Sequence, residues 1–173
     1  MSQMKYTQKS LETLQGAQRM AGEYLNQTLE QAHLLHAMLE EPDGLIPQLL
    51  SRIGKDASSL LRNAQEAVEK LPRVRGSARE EGKTYVSQDM DRALREASDA
   101  AERMKDEYIS LEHLFLGLLR APDPAMKALF SRFQIQEDAF LKALMEIRGA
   151  TRVTSDNPED SYDALAKYGT DLT

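Results

Sequence analysis

The chain has 173 residues, of which 41% are hydrophobic and 29% are charged, and its formal net charge is −6. This hydrophobic content is enough to bury a core, whereas the acidic balance argues against nucleic acid as a partner, because phosphate binding requires a basic surface. The sequence contains no cysteine, no signal-peptide pattern and no apolar run long enough to cross a bilayer, which excludes disulfides and thiolate metal sites and predicts a soluble, cytoplasmic protein without membrane contact.

The first predicted helix starts after Thr7, a candidate N-cap, because the apolar residues that follow are spaced for one helical face. These residues are Leu11, Leu14, Ala17, Ala21 and Leu25. A second helix is predicted for about 30–40 and is interrupted by the segment 42–44, which contains Pro and Gly. Asp43, within that segment, is predicted to cap a short third helix.

The third helix carries Leu49, Leu50 and Ile53 and ends at Gly54. Asp56 is predicted to cap a fourth helix, which Pro72 stops. The segment 72–86 is rich in Gly and charge and therefore predicts a loop.

A second copy of this pattern follows, because the sequence overlays itself without a gap when it is shifted by 80 residues. The matched positions are mostly apolar and include Leu14 with Leu94, Ala17 with Ala97, His33 with His113 and Leu49 with Leu129. After Ser87, a candidate N-cap, helices are predicted for 88–106, 110–120, 124–133 and 137–148. No alternating strand pattern is found. The sequence therefore predicts an all-α domain of two four-helix repeats, 1–71 and 87–148, related by a pseudo-twofold axis.

The remaining segment, 149–173, predicts a linker, because its polar first half cannot bury much apolar surface. A short helix through Tyr162, Leu165 and Tyr168 is predicted within it, and the chain stops at Thr173 soon afterwards. This ending leads us to expect that the chain is part of a longer protein.

The segment 76–84 resembles a phosphate-binding loop, but five residues separate Gly76 from Gly82 where the motif requires four. No apolar strand precedes the segment, and Glu80 and Glu81 would repel phosphates. We interpret it as a mobile loop, and the small basic patch beside it as solvated surface.

Each repeat has a histidine with a possible partner residue nearby, but in both repeats the catalytic or metal site is incomplete. Glu30 and His33 match half of a di-iron site, and His36 could join His33 on a metal, but no further ligands complete the coordination sphere. Ser110 could act as a nucleophile with His113, but it is better interpreted as a helix N-cap. We predict no metal, no cofactor and no catalysis by this chain, and a packing or hydrogen-bonding role for His33 and His113.

Several segments resemble the N-terminal domain of ClpB-type chaperones, the bacterial protein disaggregases of the Clp AAA+ class. The run 29–39 is similar to the family's Ile-Glu-Pro-x-His-Leu-Leu-x-Ala-Leu-Leu segment, and 109–119 is similar to its second-repeat partner. Further matches are Leu71-Pro72-x-Val74-x-Gly76, Ser87-Gln88-Asp89, Asn157-Pro158-Glu159 and the run from Tyr162 to Thr173. One departure is Gln31, where the family has Pro, and this change should loosen the start of the second helix at little functional cost.

The resemblance implies a client-recognition module of an ATP-dependent disaggregase, which binds exposed hydrophobic segments of unfolded or aggregated proteins and delivers them to the pore of a hexamer. It also implies that the full-length protein is a homohexamer working with a DnaK-type chaperone system, and that ATP and Mg bind to AAA+ domains outside this chain. Three polar positions of the family's groove correspond here to Thr7, Asp106 and Glu112. Thr7 is equally well interpreted as an N-cap, and Asp106 as a surface charge.

We expect a shallow groove where the first helices of the two repeats meet, with Leu11, Leu14 and Leu94 on its floor, although core packing is the favoured alternative for each leucine. The chain alone is expected to be a monomer. Two other functions remain open. One is an adaptor-docking N-terminal domain of a protease-linked Clp unfoldase, and the other is a metal-assisted hydrolase built around Glu30, His33 and His36.

Overall fold

A computed structural model describes residues 4–74 and 85–149. The predicted phosphate-loop look-alike and the predicted linker fall largely or wholly outside these residues. The described residues form eight helices: α1 Gln8–Glu23, α2 Gln31–Leu39, α3 Leu45–Arg52, α4 Ala57–Glu69, α5 Gln88–Arg103, α6 Leu111–Arg120, α7 Pro124–Arg132 and α8 Glu137–Arg148. The prediction of an all-helical fold built from two four-helix repeats is thus confirmed.

The first helix of each repeat ends earlier than the sequence predicted. α1 stops at Glu23 and does not reach Leu25, and α5 stops at Arg103 where 106 was expected. Leu25 and Lys105 occupy the same position of the two repeats, and both have positive φ, 57° and 59°. A residue in this left-handed region cannot continue a right-handed helix. The helices therefore end before these residues, although the helical spacing of apolar residues continues beyond the ends.

Four two-residue strands are also present, although the sequence has no alternating strand pattern. They are β1 Lys5–Tyr6, β2 Thr28–Leu29, β3 Tyr85–Val86 and β4 Tyr108–Ile109. β1 pairs with β4 and β2 pairs with β3, both in parallel. The sequence could not reveal them, because two residues are too few to show alternation. The strand before each repeat's first helix pairs with a strand of the other repeat, so the two repeats are linked by backbone hydrogen bonds.

The hydrophobic core runs continuously through both repeats. α2 packs against α5, α6 and α7, α3 packs against α6 and α8, and α4 packs against α7. Thr7, Asp56, Ser87 and Asp123 cap helices through side-chain oxygens that accept backbone N–H bonds. Asp43 does not cap α3 as predicted, because Gly44 is the residue at that N-cap.

Gln31 links the repeats instead of loosening α2. Its side chain is fully buried. The amide nitrogen Nε2 donates to the carbonyl oxygens of Asp89 and Ala121, at 2.8 and 2.7 Å, and the amide oxygen Oε1 accepts from the Asp123 N–H at 2.8 Å. A proline at this position could make none of these bonds, so the departure from the family pattern strengthens the contact between the repeats.

Candidate functional site

Thr7 lies at the junction of β1 and α1 and is fully buried. Its Oγ1 accepts a hydrogen bond from the Ser10 N–H at 3.1 Å, which makes it the N-cap of α1. Its own N–H donates to the Ile109 carbonyl at 3.0 Å, which extends the pairing of β1 with β4. The N-cap interpretation is therefore confirmed, and Thr7 attaches the start of α1 to the second repeat.

Asp106 and Glu112 lie on either side of β4, and both carboxylates are fully buried. Arg148, the last residue of α8, holds them together. Its Nη2 lies 2.6 Å from Asp106 Oδ1, and its Nη1 lies 3.0 Å from Asp106 Oδ2 and 3.4 Å from Glu112 Oε2. Asp106 is therefore not the surface charge that the sequence suggested.

Two further side chains complete this group. His113 Nε2 donates to Asp106 Oδ2 at 2.7 Å, and the Ser110 hydroxyl bonds to Glu112 Oε1. We call these five buried residues the Arg148 cluster: Asp106, Ser110, Glu112, His113 and Arg148. Buried charges persist only when they are paired and hydrogen-bonded, so the cluster fixes the end of α8 against β4 and the start of α6.

The sequence analysis missed Arg148, because a basic residue in the last turn of a helix is common and favoured by the helix dipole. The repeat itself contained the necessary signal. The 80-residue shift aligns Arg148 with Val68, a fully buried core residue of α4. An arginine at a core position implies a buried anionic partner.

The first repeat has a related arrangement, with Asn26 in place of Asp106 and Val68 in place of Arg148. His33 Nδ1 accepts the Glu30 N–H at 2.9 Å, and its Nε2 lies 2.8 Å from Asn26 Oδ1, where His113 meets Asp106 in the second repeat. Burial lowers the pKa of His33 from 6.5 to about 4, so the ring is neutral at pH 7 and its Nε2–H donates to Asn26.

Both histidines are therefore hydrogen-bonded residues at equivalent repeat positions, as predicted. Each accepts a backbone N–H at the start of a helix and donates from its other nitrogen. Across residues 4–74 and 85–149, no group of three or more His, Asp or Glu side chains is arranged to hold a metal ion.

We expect the free energy of unfolding to fall by about 2 kcal/mol between pH 7 and pH 5 because of His33 alone. In this range the unfolded chain binds a proton at this residue and the folded chain does not, so stability is present above the unfolded pKa and is lost as the pH falls toward 4. Urea unfolding at several pH values measures the slope. A His33→Gln variant should show a flatter slope, and an unchanged slope would contradict the assignment.

The three leucines assigned to the groove differ in exposure. Leu11 is 46% exposed, so core packing is wrong for this residue, whereas Leu14 and Leu94 are half-buried against the core. The expected seam between the first helices is also wrong, because α1 packs on α2 and α6 and does not pack closely on α5.

Met145 of α8 was not singled out in the sequence, although it is 41% exposed. Leu11 lies one helical turn beyond Thr7, and Met145 lies one turn before Arg148. Thr7 and Arg148 both bond to the segment that contains β4 and the start of α6. Each of the two exposed apolar side chains thus lies one turn from a different buried residue, and both of these buried residues bond to the same segment. We call Leu11 and Met145, with their two anchors, the β4 surface.

The profile of the Clp repeat (R) N-terminal domain family matches residues 5–133. A chaperone protein ClpB of Bacillus cereus is 39% identical over 166 residues, and one of Nitratidesulfovibrio vulgaris is 37% identical over 169 residues. These alignments cover 96% and 97% of this chain but only 19% and 20% of the relatives, so the chain spans about a fifth of their length.

Two solved structures share the fold. The Hsp104 N-terminal domain from Candida albicans superposes with a TM-score of 0.76 at 21% identity, covering 90% of this chain and 99% of that domain. A ClpV N-domain solved in complex with a VipB peptide superposes with a TM-score of 0.63 at 16% identity, covering 82% of this chain and 85% of that one. No helix of the described segments is long and apolar enough to span a membrane.

Proposed function

The chain belongs to the family of Clp repeat N-terminal domains, and we propose that it is the client-recognition module of an ATP-dependent protein disaggregase. In this proposal it binds exposed hydrophobic segments of unfolded or aggregated proteins and passes them to the pore of a hexamer. ATP and Mg bind to other domains of the longer protein, which works with a DnaK-type chaperone system. The chain itself acts by binding and not by catalysis.

The observation that carries the proposal is the exposure of Leu11 and Met145 on the β4 surface. Single exposed apolar residues are common, but these two are each one turn from a residue that is buried and hydrogen-bonded to the same short segment. Such support holds apolar side chains in water at low entropic cost, which suits a surface that must accept many different clients.

Thr7, Asp106 and Glu112 contribute to this site by position in our proposal. Thr7 is hydrogen-bonded to Ser10, Asp106 to Arg148 and Glu112 to Ser110, and all three polar side chains are buried. Substituting them would therefore move α1 and α8, and with them the apolar side chains that contact the client. They are positioning residues in this scheme.

Binding at the β4 surface should be weak, because the patch is far smaller than the 1,200–2,000 Å² or so that a stable protein interface buries. Weak binding lets the client move on to the motor. Several copies on one ring would raise the effective affinity through multivalency.

The proposal predicts that an unfolded model client shifts the backbone amide signals of Leu11 and Met145 in an NMR titration of the isotope-labelled chain. The double variant Leu11→Gln/Met145→Gln should weaken binding about tenfold, since it removes both apolar contacts.

Val86→Gln is the matched control, because Val86 is also 46% exposed and lies on β3, which pairs with β2 and not with β4. If the control weakened binding as much as the double variant, exposed apolar area in general would explain the effect. If no amide shifted at millimolar client, direct client binding would be excluded.

The alternative is an adaptor-docking domain, and it is supported by the likeness in fold to the ClpV N-domain that was solved in complex with a VipB peptide. An adaptor is one defined sequence, whereas clients are many. A panel of unrelated unfolded proteins discriminates the two functions, because only a client-recognition module binds most of them with similar affinity.

A further inference from the structure

A groove lies on the first repeat, between α1 and α2, and has a volume of about 420 Å³. Thr13, Gly16 and Met20 of α1 and Ala37 of α2 line its floor. The rim carries the charged residues Lys9, Glu12, Arg19, Glu23, Glu40 and Glu41. We call this feature the α1–α2 groove. It uses none of the exposed apolar side chains of the β4 surface.

The groove exists because the two repeats differ at one helix crossing. In the second repeat, a Cβ on Gly117 of α6 would lie 2.2 Å from the Ala93 carbonyl oxygen of α5, so those helices are in backbone contact. The equivalent residues of the first repeat are Ala37 and Thr13. Their larger side chains hold α2 away from α1, and both of them line the resulting space.

Gly16 shows that this space is open. A Cβ built on this glycine meets no atom within 4 Å, although the residue lies in the interior of α1. Glycine in a helix interior costs about 0.5–1 kcal/mol relative to alanine. Here it also keeps the floor of the groove free of side chains.

The charges of the groove are the reverse of those in the second repeat. Five rim residues have counterparts of opposite sign: Lys9 with Asp89, Glu12 with Arg92, Arg19 with Asp99, Glu23 with Arg103 and Glu40 with Arg120. The rim of the first repeat has four carboxylates against two Lys or Arg cations, a formal net charge of −2 from these six residues. The formal charges of the counterparts sum to +1, from two aspartates and three arginines. Glu137 binds one of these arginines, Arg120, through two bonds of 2.9 and 3.0 Å.

The rim also has a defined end. Lys9 Nζ bridges to Glu41 Oε2 across 3.4 Å, and so joins the start of α1 to the residues after α2. Beyond this pair the rim carries three exposed carboxylates, Glu12, Glu23 and Glu40, against Arg19. Glu40 Oε1 also lies 3.0 Å from His36 Nδ1. A ligand therefore meets carboxylates on both helices above a floor of small side chains and one methionine.

We propose that the α1–α2 groove binds client segments that carry lysine or arginine next to small or aliphatic residues. The cationic side chains pair with the glutamates of the rim, and the aliphatic residues contact Met20 and Ala37. This inference rests on the proposed function, since it names a class of segment and a second surface for the same clients. The second repeat is unsuited to such a segment, because α5 and α6 are in backbone contact at Gly117 and the equivalent charges sum to +1.

The test uses the isotope-labelled 173-residue chain and two short peptides with identical apolar residues, one with arginine and one with glutamate at every charged position. The arginine peptide should shift the amides of Gly16, Met20 and Ala37, and the glutamate peptide should not. Glu12→Lys/Glu23→Lys should lower the affinity for the arginine peptide about tenfold, because it replaces two carboxylates that attract the arginines with two cations that repel them. The effect should be smaller at high salt, because salt screens the interactions between these exposed charges. Gly16→Leu should block the floor and also reduce binding.

The matched control is Asp99→Lys/Glu102→Lys, which makes the same change in net charge at exposed positions of α5. Equal weakening in this control, or unchanged affinity in Glu12→Lys/Glu23→Lys, would overturn the groove assignment. An unfolded model client is titrated in parallel. Client shifts on the β4 surface with no arginine-peptide shift in the groove would reject this inference alone, whereas no client shift anywhere would reject the proposed function as well.

Discussion

Replacing Arg148 with methionine should lower the free energy of unfolding by about 3–5 kcal/mol, the range found when one partner of a buried ion pair is removed. The substitution leaves the carboxylates of Asp106 and Glu112 buried without their cation, and neither has access to water. Methionine has a similar volume to the arginine stem, so lost packing contributes little. Urea unfolding followed by circular dichroism measures the change.

A neutral version of the whole cluster is the control. Asp106→Asn/Glu112→Gln/Arg148→Met removes all three charges at once. It should recover most of the lost stability, because replacing buried ion pairs with uncharged side chains of similar size has little net cost in free energy. The first repeat already has uncharged residues at these three positions, Asn26, Ala32 and Val68, and Asn26 pairs with His33. If Arg148→Met cost less than about 1 kcal/mol, the carboxylates would have to be protonated or solvated, and the cluster would not position α8.

The cluster also separates the two roles of the polar residues near β4. If Arg148→Met weakens client binding and the neutral triple variant recovers it, then client binding depends on the geometry of α8 and not on the charges. If client binding stays weak in the neutral triple variant although its stability has recovered, then Asp106 or Glu112 contacts the client directly. The same two variants thus test stability and the positioning role together.

The sequence was sufficient for the large features of the fold, because each depends on a pattern that repeats over many residues. The 80-residue shift and the helical spacing of Leu14, Ala17 and Ala21 determine which faces are buried. The parallel pairing of Lys5–Tyr6 with Tyr108–Ile109 depends instead on the relative placement of the repeats. A two-residue strand has no signature apart from that placement.

The candidate site was harder to predict, because it depends on differences between the repeats. Leu11 and Leu14 fit the same helical stripe, yet only Leu14 reaches the core. Asp106 resembled a surface charge because its partner, Arg148, is 42 residues away in sequence. Aligning the repeats and asking where a charge replaces a core residue would have found the pair.

The same comparison leads to a prediction about two helical glycines. Gly117→Ala should destabilise the chain by about 3 kcal/mol, at the upper end of the range for overpacked cores. Its Cβ would lie 2.2 Å from the Ala93 carbonyl oxygen and 3.1 Å from the Ala97 nitrogen. These are backbone atoms and cannot rotate away, so α5 and α6 must separate.

Gly16→Ala makes the identical chemical change in α1 and should stabilise the chain by up to about 1 kcal/mol, because its Cβ meets no atom within 4 Å and alanine favours the helix. The two variants are compared by thermal and urea unfolding. Opposite signs would establish that α5 and α6 are in backbone contact at Gly117 and that the space beside Gly16 is open. If Gly117→Ala were also stabilising, α5 and α6 would be further apart than the structure indicates, and the difference that creates the α1–α2 groove would disappear.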